Sequence, residues 1–342
     1  ISMLNGSKQY LSAAKLNESG KNQTHFLPLP TKTLASVISM NYSILEMLNL
    51  NLDSLEIINN LLVALAEVIN NTPYVKVNED IRSNLFAILL KYLGNSSTVT
   101  SNLVWKCISS LLVTGYNPKL IFKNTIPELN LTVYEYIINS LDGSANISVL
   151  NIFDNLAKLF PIYFLSIFWI NVNPSLAKLI QDVDVEESIK TISFNIVSTF
   201  ILNLNTSNCD FTNTEVEETT IFKNTCIDDE FWMSIVSTYI DPYLKSKSTT
   251  LISVYDLIGS IPENGFKSLS DDKQLLLFNE LVDYNTRMNK TNVIYASIKA
   301  IGNLSLFVGS KIEFCNLLSN SLSKIVDFCK NEKLNVANLN RI

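Results

Sequence analysis

Apolar side chains recur three and four residues apart along most of the chain, and short polar breaks interrupt them. From Asp53 to Asn70, the residues Leu55, Ile58, Leu61, Leu62, Leu65, Val68 and Ile69 form one wide apolar stripe, as in a helix with one buried face. Asp53 is placed to cap this helix. Asn70-Asn71-Thr72-Pro73 ends it, because proline and its predecessor both resist helical continuation. The same spacing predicts a helix over 78–93 (Ile81, Leu85, Ile88, Leu89, Leu93) ended by Gly94. It predicts another over 99–114 (Leu103, Val104, Cys107, Ile108, Leu111, Leu112) ended by Gly115. The pattern continues over 128–141, 146–164, 165–181 and 185–204. It resumes over 230–245, 249–261, 271–286, 291–308 and 311–330, and a last helix opens near Leu334.

Helices in pairs that repeat roughly every 40–50 residues predict an all-α fold, an α-solenoid of HEAT/armadillo-like helix pairs. About six pairs are expected, stacked in a right-handed superhelix. Sustained period-two alternation is missing, and no Asn-Gly or Asp-Gly joins two β-type runs, so strands are not expected. Asparagine and the β-branched residues are mediocre helix formers, so packing between neighbours must supply most of the stability.

The solenoid is expected over 36–342. Residues 1–35 read as an irregular cap or loop, since Asn17–Gln23 is turn-rich and Pro28 and Pro30 forbid a continuous helix. Within the array, 205–229 is acidic, Thr-rich and too long for an ordinary helix connection, so it reads as an inserted acidic loop. The pattern stops inside a repeat, and further repeats are expected beyond Ile342.

Composition narrows the function classes. A hydrophobic fraction of 47% is ample for a core, which excludes wholesale disorder. Nine glycines and five cysteines exclude collagen-like and disulfide-scaffold classes. The net charge is −6 and the 26 basic residues are dispersed. Direct nucleic-acid binding is therefore not expected, since it requires a basic stripe to displace phosphate counterions. Cys107, Cys209, Cys226, Cys315 and Cys329 contain no CxxC spacing and read as buried thiols of a reducing compartment. That predicts an intracellular protein, cytoplasmic or nuclear. The longest apolar run, Leu159–Ile170, is broken by Pro161 and Ser166. It falls short of the ~20 residues of a membrane span.

Catalytic chemistry has no visible foothold. No nucleophile elbow, P-loop or dinucleotide fingerprint occurs. The one histidine, His25, lies in a polar stretch with nothing to orient it. Glu215, Glu217 and Glu218 form the densest acidic cluster, inside the inserted loop, and read as solvated. Trp105, Trp169 and Trp232 fall on apolar stripes and read as core. No catalytic, cofactor or metal-binding residue is assigned, and a non-enzymatic role is expected.

Residues 231–277 carry a more particular pattern. Its anchors are Phe231-Trp232, Pro242, Leu257-Ile258-Gly259-Ser260-Ile261-Pro262, Phe266, Leu269 and Lys273-Gln274-Leu275-Leu276. The next repeat runs Asn292-Val293-Ile294-Tyr295-Ala296 and then Lys299-Ala300-Ile301-Gly302-Asn303-Leu304. Upstream, Asn71-Thr72-Pro73-Tyr74 and Leu156-Ala157-Lys158-Leu159-Phe160-Pro161 belong to the same pattern. Over about residues 55–342 the chain resembles the HEAT-repeat-containing protein six family. The resemblance implies a scaffold that binds one or more partner proteins along the solenoid surface. Second helices of each pair usually line the concave side, and Lys106, Asn155, Lys190, Tyr255 and Lys299 are the candidate contacts there. A transport receptor or vesicle-coat accessory is the alternative expectation, and an enzyme with an unrecognised site is the third.

Overall fold

The computed structural model describes residues 31–50, 54–72, 77, 79–94, 97–143, 146–206, 227–244, 250–287, 291–307, 314–317, 319 and 323. The chain divides into two compact units, Ile1–Leu159 and Phe160–Ile342. The described residues are helical apart from connections and one very short hairpin, so the fold is all-α.

The first unit contains α1 (Thr31–Asn49), α2 (Leu55–Asn70), α3 (Glu79–Gly94) and α4 (Thr98–Val113). After them come α5 (Pro118–Phe122), a hairpin of β1 (Thr125–Ile126) and β2 (Leu131–Thr132), α6 (Val133–Gly143) and α7 (Ile147–Leu159). Local chemistry sets the ends. Ser54, not the expected Asp53, caps α2, its hydroxyl accepting from the Ile57 N–H. At the far end of α4, Gly115 takes φ +82°, a conformation that costs side-chain-bearing residues about 1–2 kcal/mol. The Tyr116 N–H then reaches back to the Leu111 carbonyl and the Gly115 N–H to that of Leu112, closing a Schellman motif. This turn swings Tyr116 under α3.

Thr132 and Glu135 start α6 with a capping box. The Glu135 N–H donates to the Thr132 hydroxyl, while the Glu135 carboxylate accepts from the Thr132 N–H (2.8 Å) and hydroxyl (2.9 Å). The backbone bond foremost, and then the hydroxyl bond, hold the Glu135 carboxyl below the usual glutamate range. A depressed folded-state pKa stabilises above the unfolded value and loses that contribution as pH falls through the folded one. Thr132→Ala is therefore expected to raise the Glu135 titration midpoint, followed by carboxyl-carbon NMR. An unmoved midpoint would show that the hydroxyl bond contributes nothing and that the Thr132 backbone N–H alone holds the carboxyl down.

Packing follows a regular order. Helix α4 lies between α2 and α7, and α3 packs on α1 and α4. Trp105, Cys107, Ile108, Leu111 and Leu112 of α4 are buried in this stack. Side chains tie successive helices together. Thr100 donates to Asn59, Cys107 to the Leu62 carbonyl, Asn146 to Asn102 and Asn155 to Ser109, at separations of 41, 45, 44 and 46 residues. Across α1 and α3, the Tyr92 hydroxyl donates to the Leu48 carbonyl, 44 residues away.

The second unit opens with α8 (Pro161–Tyr163), a π turn (Phe164–Phe168) and α9 (Trp169–Gln181), followed by α10 (Glu187–Thr206). Next come α11 (Asp229–Ile235) with a π turn (Val236–Ile240) and a 3-10 turn (Asp241–Tyr243), then α12 (Thr250–Ser260) and α13 (Glu263–Ser268). Last are α14 (Asp271–Arg287) and α15 (Thr291–Ser305). Helix α12 lies between α10 and α15, and α14 packs on α15. Asn303 donates to the Gly259 carbonyl and Lys299 pairs with Asp256, 44 and 43 residues apart. Phe164, Trp169 and Phe200 form the aromatic centre of the unit's first part, with ring centroids 5.2 Å (Phe164–Phe200) and 4.8 Å (Trp169–Phe200) apart. Trp105, Trp169 and Trp232 are all buried as expected.

Several expectations need correction. The break expected between 164 and 165 falls at Phe160, where Pro161 opens the next helix and the expected boundary lies inside a π turn. The helix expected over 128–141 starts only at Val133, because Pro127–Asn130 forms the hairpin turn with Asn130 at φ 51°. The periodicity predicts no strands, yet β1 and β2 pair antiparallel, Thr125 with Thr132 and Ile126 with Leu131. Helix α1 already begins at Thr31, inside the stretch expected to be irregular. Residues 1–30 with His25, and 207–226 with Glu215, Glu217 and Glu218, lie outside the described residues, as does the helix expected near Leu334. Cys315 is exposed, against the expectation of buried thiols. Burial pushes the Cys107 thiol up to about 12, so at neutral pH it is inert. Among the described residues, no single helix is long and apolar enough to cross a membrane.

Candidate functional site

The first unit holds an open cavity of about 510 Å³ between α3 and the segment that follows α4. One wall is a single face of α3, namely Arg82, Ser83, Phe86, Ala87 and Leu90, residues that helical geometry brings into line. This face lies beside the stripe of Ile81, Leu85, Ile88 and Leu89, which α3 buries in the stack. Tyr116, Leu120, Asn124 and Pro127 supply the opposite wall. The Schellman turn at Gly115, the Asn117 cap of α5 and the hairpin turn put them there.

The floor is aromatic, with the Phe86 and Tyr116 rings 5.4 Å apart. Asn124 is already committed, its side-chain amide donating to the Leu120 carbonyl. Arg82 is different. Its Nε is shut off from solvent and has no hydrogen-bond partner. A buried N–H without an acceptor is costly, and more so on a charged group. Arginine occurs at three positions, Arg82, Arg287 and Arg341, among 26 basic residues, so a guanidinium here is an uncommon choice for this chain. No carboxylate, histidine or thiol among the described residues lines the cavity. Among the described residues, no group of three or more His, Cys, Asp or Glu side chains could hold a metal ion.

The residues singled out from sequence are distributed otherwise. Lys106 is exposed on α4, one turn before Ser109, which accepts from Asn155 of α7 at 2.6 Å. Asn155 is half-buried and serves the stacking of these two helices. Lys190 is half-buried in the first turn of α10. Lys299 is exposed on α15 and pairs with Asp256 at 3.1 Å, an exposed pair that contributes little to stability. Tyr255 must be withdrawn as a surface contact. It is fully buried, because α12 has neighbours on both sides and no free face at that position. None of the five lines the α3 cavity.

Residues 1–118 match a family described as a domain of unknown function (DUF4042). The matched segment includes the α3 wall of the cavity and Tyr116, and it stops before Leu120, Asn124 and Pro127. No curated protein and no solved structure matches the chain.

Proposed function

We propose that this chain is a HEAT-type α-solenoid with a right-handed superhelix, acting as a non-enzymatic scaffold that binds a partner protein along its surface. The supporting observation is the recurrence of one cross-helix tie. Residues 41–46 apart join α2 to α4 and α4 to α7. Equivalent ties, at 43 and 44 residues, join α12 to α15. A recurring sequence interval between stacked helices is how a repeat array builds a continuous core from nearest-neighbour contacts, and the longer 63-residue tie from Thr250 to Glu187 spans the stretch expected to hold the inserted loop. Such an array offers an extended face to other proteins, and the resemblance to the HEAT-repeat-containing protein six family points the same way. The cavity walls, which among the described residues carry one cation and no carboxylate, histidine or thiol, suit recognition better than catalysis.

The test is affinity purification of the full-length protein, followed by hydrogen-exchange mapping of the stoichiometric partner. Protection should run across at least two successive helix pairs and include exposed positions such as Lys106 or Lys299. A footprint confined to one helix pair, or failure to recover any stoichiometric partner, would count against the scaffold.

A further inference from the structure

The α3 cavity has three properties that together specify a ligand. It is open to solvent along one side, its floor is aromatic and aliphatic, and its single charged group among the described residues is a guanidinium whose Nε lacks an acceptor. We propose that it docks a short acidic peptide segment of a partner protein, with one Asp or Glu carboxylate on Arg82 and a neighbouring bulky apolar side chain against Phe86, Leu90 and Tyr116. This rests on the scaffold reading only in that the ligand belongs to another protein.

Charge complementarity argues for the carboxylate. Arginine presents Nε and one terminal nitrogen as a parallel pair of donors, which matches the two oxygens of a carboxylate. Rotation about the arginine's own torsions brings that edge to the cavity and supplies the acceptor Nε lacks. A phosphate group carries about −1.5 to −2 charges and favours a cluster of cations. Here a single cation lines the site among the described residues. The aromatic floor argues for the second half of the ligand. The Phe86–Tyr116 pair and Leu90 form an apolar surface beside the charge, and burying one large side chain there yields the anchor that peptide grooves use. The rest of the protein supports the polarity of the choice. A chain with net charge −6 repels acidic segments generally, so an isolated cation beside an apolar floor selects the register at which one can bind.

The experiment is selection of a displayed random heptapeptide library on the immobilised full-length protein, repeated on Arg82→Gln and on Phe86→Ala. The wild type should enrich peptides with Asp or Glu next to Phe, Leu or Ile. Arg82→Gln should abolish the acidic position while the apolar one persists, and Phe86→Ala should do the reverse. A synthetic winner should bind Arg82→Gln about 10- to 100-fold more weakly, the worth of hydrogen bonds to a charged group. Its Gln/Asn analogue should lose as much on the wild type. Arg82 is half-buried and makes no hydrogen bond through Nε, so Arg82→Gln should melt as the wild type does, and Arg82→Lys gives a second variant that keeps the charge. No acidic-apolar consensus on the wild type, or the same consensus on Arg82→Gln, overturns the proposal. So does preferential binding of a phosphorylated winner, or Arg82-dependent sedimentation with phosphatidylserine vesicles. A partner footprint elsewhere on the helices, with no consensus here, would leave the scaffold standing and remove only this site.

Discussion

Gly265→Ala should destabilise the second unit by about 3 kcal/mol, at the upper end of what overpacking a buried site costs. Gly265 sits in α13, and a Cβ built there would lie 2.6, 2.8 and 2.9 Å from three atoms of the Trp232 indole. Those atoms belong to the body of a rigid ring, so no flexible end can swing aside. The ring itself is only 4% exposed, and its edge meets Phe231 at a centroid distance of 5.0 Å. Relief therefore requires α13 to move off α11. The gain in helix propensity from glycine to alanine, about 1 kcal/mol, opposes the change but is too small to reverse it. A double-mutant cycle isolates the cause. In a Trp232→Leu background the clash is gone, and Gly265→Ala should cost less than about 0.5 kcal/mol, the usual limit of additivity. Equal costs in both backgrounds would show that the glycine is needed for something other than the indole.

Hydrophobic periodicity does not display this contact. Phe231-Trp232 and Phe266 stand out in the chain, yet the glycine that makes their packing possible has no side chain to enter a periodic pattern. Helix α13 itself spans six residues, too few for a three-four stripe to declare itself. The hairpin that walls the cavity escapes the pattern for the same reason, since each strand has two residues. By contrast α2, α3 and α4 are legible to within about two residues, because each is long enough for its three-four apolar spacing to repeat over several turns. Helix α12 marks the limit of that logic. Leu251, Ser253, Val254, Tyr255, Leu257 and Ile258 are all buried there, so a tyrosine in the pattern's polar gap is core. Arg82 is hidden differently. It follows Ile81 and lies off the main stripe, and only the turn at Gly115 makes its face a wall. The one sequence signal that could draw attention to it is the scarcity of arginine in a lysine-rich chain.

Two helical glycines one repeat apart should respond to substitution with opposite signs. At Gly259 of α12, an added Cβ would stand 3.0 Å from the Ala300 Cα and 3.3 Å from its Cβ. The obstacle is backbone, so the two helices must separate for it to fit. The Asn303 amide on the Gly259 carbonyl at 2.9 Å holds them at this spacing, and the exposed Lys299–Asp256 pair at 3.1 Å adds little. Alanine at 259 balances a propensity gain of about 1 kcal/mol against that strain. Valine adds two methyls and loses most of the gain, so Gly259→Val should cost about 3 kcal/mol. At about 2–4 °C per kcal/mol for a cooperative unit of 150–250 residues, the melting temperature should fall by roughly 6–12 °C. Gly302 of α15 is also helical but exposed, and a Cβ added there would meet nothing within 4 Å. Gly302→Ala should therefore raise stability by about 0.5–1 kcal/mol through helix propensity alone. Thermal unfolding of the two variants by circular dichroism decides the matter. If Gly259→Val melts with the wild type, the close crossing of α12 and α15 does not hold the repeat together, and the nearest-neighbour account of its stability fails at its tightest point.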